Sequence, residues 1–191
     1  MCGILGQINF NSKKIDNILF EKALDLQTHR GPDDRGVFLE QHFSFGHRRL
    51  SIIDTSSHSR QPMLSQCKNI ILIFNGEIYN YLEIKKTLQN KGYVFNTNSD
   101  TEVIINAFLE YGIDCIQQFN GMFSFSIYDK IKNEFYIVRD RLGIKPLYYF
   151  TNNDKLIFSS EIKSILHLNN KSYSLNKEAI SSYLSFRYPI F

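Results

Sequence analysis

Apolar positions recur along this chain with two spacings, and the switch between them predicts its elements. Met1 to Phe10 reads as a strand that starts at the terminus itself. Ile15, Ile18, Leu19, Ala23 and Leu26 recur at helical spacing and predict an amphipathic helix over roughly residues 15–28. Gly31-Pro32-Asp33-Asp34 makes a turn, followed by short strands over 37–40 and 43–50. The apolar run Ile70 to Phe74 predicts a buried strand that ends at an Asn75-Gly76 break. Tyr79 to Lys91 follows as a helix stopped by Gly92. Ser99-Asp100-Thr101-Glu102 fits a capping box, and Val103, Ile104, Ala107 and Phe108 supply the apolar face of the next helix. From Met122 to Phe158 the pattern becomes a meander of hairpins, with turns at 130–133 and 152–154. Helices over 161–166 and 177–184 complete the chain. Hairpins with helices that can cover sheet faces predict an α+β layered domain.

Composition narrows the class without naming it. The 191 residues suffice for one substantial domain, and 43% hydrophobic with 21% charged residues describes an ordinary globular chain. A net charge of +3 and the absence of any Lys/Arg block argue against nucleic acid or an anionic membrane as partner. No apolar run is long enough to span a bilayer, and the N-terminus has no signal-peptide pattern. Three cysteines without paired spacing point to reduced thiols and a cytoplasmic location. No metal-ligand spacing is present, so no metal is expected.

Four features could carry chemistry, and each also has a plain structural reading. Removal of Met1 would leave Cys2 with a thiol and a free α-amine, whose reference pKa of about 7.7–8.0 makes it a usable base; Cys2 could equally be a small buried hydrophobe. Asn75-Gly76-Glu77 offers a side-chain amide and a backbone N–H for an oxyanion, or a simple turn. The Arg48-Arg49 pair, followed by Ser51 and Asp54, offers a bidentate carboxylate site, or a solvated strand edge. Asp100 could hold an ammonium group, or stabilise the start of its helix.

The combination and order of motifs decide between these readings. Met1-Cys2-Gly3-Ile4, Arg30-Gly31-Pro32-Asp33, Gly46-His47-Arg48-Arg49-Leu50-Ser51-Ile52-Ile53-Asp54 and Gln61-Pro62-Met63 are followed by Asn75-Gly76-Glu77-Ile78-Tyr79-Asn80 and Ser99-Asp100-Thr101-Glu102. Asn120-Gly121-Met122-Phe123, Arg139-Asp140-Arg141-Leu142-Gly143-Ile144-Lys145-Pro146-Leu147-Tyr148 and Ser160-Glu161-Ile162-Lys163 close the series. Over nearly its whole length the chain resembles the class II glutamine amidotransferase domain of glutamine-hydrolysing asparagine synthetases. The resemblance implies an N-terminal-nucleophile hydrolase fold, a four-layer αββα sandwich of two antiparallel sheets. It also implies a domain over 1–170 and a segment, 171–191, leading toward a synthetase domain.

Residue by residue, the resemblance makes Cys2 the nucleophile that attacks the carboxamide of L-glutamine. Asn75 and Gly76 would form the oxyanion hole, and Arg49 would bind the α-carboxylate beside a wall of Leu50, Ser51, Ile52 and Ile53. Asp100, with Glu77, would hold the α-ammonium, and Arg30 would order the terminus. Cys67 and Cys115 read as ordinary thiols, and His47 as a structural hydrogen-bonding residue.

Synthetases of this kind continue into a second domain whose Ser-Gly-Gly-Leu-Asp-Ser-type loop binds pyrophosphate. Neither that loop nor a GxxxxGK[ST] motif occurs here. No cofactor is therefore expected for this domain; ATP and magnesium would belong to the synthetase domain, a partner for the released ammonia. Two alternatives accompany this reading. The same glutaminase could serve an asparagine-synthetase-like amidotransferase of surface-polysaccharide or secondary metabolism, or the chain could be a non-catalytic glutamine-binding remnant. A homodimer is left open.

Overall fold

The computed structural model describes residues 1–191 apart from Ser12, Thr55, Ser172 and Phe191. Strand β1 (Gly3–Asn9) sits in the middle of a five-stranded sheet, between β3 (Phe43–Arg49) and β9 (Lys155–Ser159). Strands β2 (Asp34–Leu39) and β8 (Tyr148–Thr151) are its edges. The second sheet has the order β4 (Met63–Leu64), β5 (Ile70–Ile78), β6 (Gly121–Asp129), β7 (Glu134–Arg139). Every pairing in both sheets is antiparallel.

Three apolar layers hold four structural layers together. Ile4, Ile8, Phe43, Phe45, Ile71, Ile73, Tyr128 and Phe158 fill the space between the sheets. The opposite face of the first sheet, through Leu5 and Ile157, packs on Phe20, Ala23 and Leu24 of α1 (Asn17–Asp25) and Ile165 and Leu168 of α4 (Ile162–Asn169). The opposite face of the second, through Ile70, Leu72 and Phe74, packs on Ile84 and Leu88 of α2 (Tyr81–Asn90) and Val103, Ala107 and Phe108 of α3 (Asp100–Tyr111). β5 is apolar at consecutive positions because both of its faces are covered. Each fully buried Leu, Ile or Phe contributes about 1.5–3 kcal/mol. The α+β class and the αββα order are as expected from the sequence.

Several local expectations are corrected. Asp16 caps α1 by accepting a hydrogen bond from the Leu19 N–H at 3.0 Å. That start sets the phase so that Phe20, Ala23 and Leu24 point inward while Ile18 and Leu26 face solvent. Ser99 caps α3, but the Glu102 carboxylate reaches past it to the N–H groups of Asn96 and Thr97 at 2.9 and 2.8 Å. The expected meander is two hairpins in different sheets: β6 and β7 belong to one, β8 and β9 to the other. The loop between them is folded on Asp140, whose buried carboxylate accepts from the N–H groups of Phe123, Leu142, Ile144 and Lys145 at 2.8–3.2 Å. α5 (Lys177–Phe186) buries no side chain. Among the described residues, no helix is long and apolar enough to cross a membrane.

Candidate active site

The largest correction concerns Asn75-Gly76. This pair does not end β5, which runs on to Ile78, with Asn75 opposite Ser124 and Gly76 opposite Phe123. An ideal Cβ on Gly76 would lie 2.4 Å from the Met122 carbonyl oxygen and 2.7 Å from the Phe123 Cα. Glycine is needed there for the close approach of two strands, not for a turn.

This continuation builds one side of the site. β4 begins opposite Leu72, so among the described residues the edge of β5 beyond that point has no strand neighbour. In an antiparallel ladder, the N–H groups of alternate residues point to the same side. On the uncovered side, the Phe74 N–H donates to Gln61 Oε1 at 2.6 Å and the Ile78 N–H donates to Asp100 Oδ2 at 3.1 Å. The Gly76 N–H lies between them in sequence and faces the same edge. Asn75 Nδ2 is buried and has no hydrogen-bond partner among the described residues. A side-chain amide and a backbone N–H are thus both available at one place.

Cys2 approaches from the other sheet. Its thiol donates to the Leu50 carbonyl at 3.6 Å, and the Leu50 N–H points back at the sulfur at 3.4 Å. Burial pushes the thiol pKa up, while the Leu50 N–H, the chain's terminal ammonium, Arg49 and Lys145 pull against it. Arg30 holds the strand start from below. Its Nε donates to the Cys2 carbonyl at 3.0 Å, and its Nη1 pairs with Glu161 Oε1 at 3.0 Å.

Between these walls lies a pocket lined by Cys2, Arg49, Leu50, Ile52, Ile53 and Asn75, and further by Gly76, Glu77 and Asp100. Arg49 also donates to the carbonyls of Ser56, at 3.0 Å, and Asp54, so its guanidinium organises the loop that follows β3. The Asp54 carboxyl is held below the usual carboxylate range, first by the Ser56 hydroxyl and then by the Asn98 N–H at 2.9 Å. Asp100 is buried, which raises its pKa to about 6 against the opposing pull of the Ile78 and Thr101 N–H groups. Glu77 adds to that rise by charge repulsion. An acid pair and an arginine lining one pocket match the two charges that a free α-amino acid carries on its α-carbon.

Two predicted residues stand outside the lining. The Ser51 N–H is directed to Asp33 Oδ2 at 2.8 Å, and Arg30 reaches the site only through the Cys2 backbone.

Residues 1–190 match the family model described as a glutamine amidotransferase domain. The chain belongs to this family. It is 42% identical to glutamine-hydrolyzing asparagine synthetase 1 of Bacillus subtilis, over 98% of this chain and 30% of the relative. It is 39% identical to amidase chry2 of Gibberella zeae, over 83% of this chain and 24% of the relative. The chain therefore spans about a third or less of the length of these two relatives. Among solved structures, the glutamine phosphoribosylpyrophosphate amidotransferase of B. subtilis superposes with a TM-score of 0.75 at 21% identity, over 88% of this chain and 44% of the other. That likeness shows a shared fold, in agreement with the two stacked antiparallel sheets expected from the sequence.

Sequence reasoning passed over several residues of this amidotransferase pocket. Gln61, Ser99, Thr101, Met122 and Lys145 also line it. Gln61 stands in the Gln61-Pro62-Met63 motif without a chemical signature of its own, yet it bridges the sheet to α3, receiving the Phe74 N–H and donating to the Thr101 hydroxyl at 3.4 Å. No local spacing signals this, because the partners lie 13 and 40 residues away.

Proposed function

We propose that this amidotransferase domain hydrolyses L-glutamine to glutamate and ammonia, with Cys2 as nucleophile. The observation that carries the reading is the convergence of the Cys2 sulfur, the unpartnered Asn75 amide and the Gly76 N–H edge on one pocket. With Met1 removed, the neutral α-amine of Cys2 accepts the thiol proton as sulfur attacks the side-chain carbonyl carbon. The carbonyl electron pair moves to oxygen, where Asn75 Nδ2 and the Gly76 N–H stabilise it. Collapse breaks the C–N bond, the α-ammonium of Cys2 returns its proton to nitrogen, and ammonia leaves. Water then attacks the γ-glutamyl thioester, releasing glutamate and restoring the thiol.

Substrate choice follows from charge. Arg49 receives the α-carboxylate, Asp100 and Glu77 receive the α-ammonium, and Leu50, Ile52 and Ile53 form a wall of the same pocket, with Ser51 behind it. A peptide-bound glutamine lacks both charges and would leave the acids and the arginine without partners. Arg30 positions the nucleophile's backbone. No cofactor enters these steps.

The ammonia serves ATP-dependent asparagine synthesis in a synthetase domain or partner, in the cytoplasm. Residues 1–170 form the glutaminase unit, and 171–191 lead toward the acceptor, consistent with an α5 that buries nothing of its own. The similarity to amidase chry2 supports a second reading in which the same glutaminase feeds a different carboxylate acceptor.

The test is glutamate release from L-glutamine by Met1-processed protein, confirmed by intact mass, beside Cys2→Ala. Activity lost in Cys2→Ala supports the assignment. Turnover that survives the substitution, or none in the processed wild type, refutes it for this chain.

A further inference from the structure

We infer that Lys145 is the electrostatic partner of Cys2, holding the thiolate and the adjacent charge of the tetrahedral intermediate. This rests on the glutaminase reading and adds one residue to the same site.

The first observation is a pocket-lining cation without a hydrogen-bond or ion-pair partner among the described residues. Lys145 lines the pocket and is 6% exposed. The hydrogen bonds and ion pairs of the described residues engage its backbone but leave its Nζ without a partner. A side chain packed to 6% exposure whose ammonium ends in a pocket presents its charge to whatever the pocket holds.

The second is the machinery that delivers it. Asp140 takes the Lys145 N–H at 2.9 Å and three further N–H groups of the same neighbourhood. Arg139 takes the carbonyls of Lys145 and Gly143 at 2.7 and 2.6 Å from the outer side. These bonds clamp the loop that crosses from one sheet to the other, and the crossing brings Lys145 to the pocket that Cys2 lines.

The third is a count of charges around the thiol. The terminal ammonium extends from β1, Arg49 lies on β3, Glu77 on β5 and Asp100 on α3. Arg30, from the segment after α1, is committed to Glu161 and to the Cys2 carbonyl, and His47 of β3 is held neutral by burial. Glutamine brings one carboxylate, met by Arg49, and one ammonium, met by the acids. Lys145 is a cation that the substrate carboxylate does not claim, and it shares the pocket with the Cys2 thiol. Both Arg49 and Lys145 lower the Cys2 pKa against the burial that raises it.

The experiment uses Met1-processed full chain and measures the pH profile of Cys2 alkylation by iodoacetamide, with peptide mapping to separate Cys2 from Cys67 and Cys115. Iodoacetamide reads the thiolate directly, since sulfur displaces iodide without any need for glutamine turnover. Lys145→Met is expected to slow alkylation at pH 7 on the order of tenfold and to displace the profile to higher pH. Lys145→Arg should keep the wild-type profile, and Lys145→Met should not melt earlier, since no hydrogen bond or ion pair of the described residues is lost with the ammonium. A Lys145→Met profile that coincides with wild type overturns the inference. So does an unchanged profile with a raised glutamine KM, which would assign Lys145 to the substrate carboxylate. If wild type is alkylated at Cys2 but hydrolyses no glutamine, the glutaminase reading fails while the alkylation profile still decides the role of Lys145.

Discussion

His47 Nε2 lies 3.0 Å from the carbonyl oxygen of Phe74, so a side chain of one sheet is tied to the backbone of the other immediately before Asn75. A neutral imidazole makes this bond as a donor, which places its proton on Nε2. Burial lowers the His47 pKa to about 4, with the Arg49 charge acting in the same direction and the Phe74 carbonyl opposing. A depressed histidine pKa means the unfolded chain binds the proton first. Its contribution is whole above about pH 6.5 and is lost as pH falls toward 4, up to about 3 kcal/mol. Urea unfolding of wild type and His47→Gln at pH 7 and 4.5 checks this: the stability difference should shrink at low pH, and parallel curves would refute it.

Asp100 gives the opposite sign. Its raised pKa means the ionised carboxylate is disfavoured in the folded protein, so the penalty is full above about pH 6 and vanishes toward pH 4. Asp100→Asn should therefore stabilise the domain at pH 7.5 by about 1–3 kcal/mol while weakening glutamine binding. In the wild type, glutamine KM should rise as pH drops below about 6, because the protonated acid no longer attracts the α-ammonium. A flat KM between pH 5 and 7.5 would remove Asp100 from that role.

Asn75 and Gly76 should separate cleanly under mutation. Asn75→Ala should lower kcat on the order of 10²–10³-fold with little change in KM, as expected for a donor used only in the transition state. Gly76→Ala should instead damage the fold, since its Cβ would meet the Met122 carbonyl at 2.4 Å. A loss of about 1–3 kcal/mol in urea unfolding is expected. An Asn75→Ala enzyme with normal kcat would show that the oxyanion sits elsewhere.

Glu161 and Arg30 form the brace under the nucleophile. Burial tends to raise the Glu161 pKa, but Arg30 at 3.0 Å and then His29 outweigh it, so the carboxyl is held below its ordinary value. Glu161→Ala leaves Arg30 with one of its two partners and should cost about 1–3 kcal/mol. Glutaminase kcat should fall while KM stays near wild type, because the nucleophile is displaced and the two charge clamps are not. A change in KM alone would count against a bracing role.

The candidate chemistry of this site is carried by short motifs, each with a plain structural reading when taken alone, and it is their order and the family resemblance they add up to that assign the roles. Cys2, Arg49, Asn75, Gly76, Glu77 and Asp100 are legible as candidates because each sits in a motif of that resemblance, and they meet in one pocket. The strands and helices were legible for the same reason, since alternation and helical spacing are properties of neighbours. What needed the tertiary structure are the features set by distant partners. Asn75-Gly76 has the local signature of a turn, yet pairing with β6 extends it as strand, because two sheets and a helical layer bury it from both sides. The hairpins after Met122 look alike in sequence, but the Asp140 clamp sends the second to the other sheet. Only that crossing brings Lys145 to the pocket lined by Cys2, 143 positions away in the chain. Local patterns specify which chemistry is present; long-range hydrogen bonds and burial decide which groups face one another and with what charge.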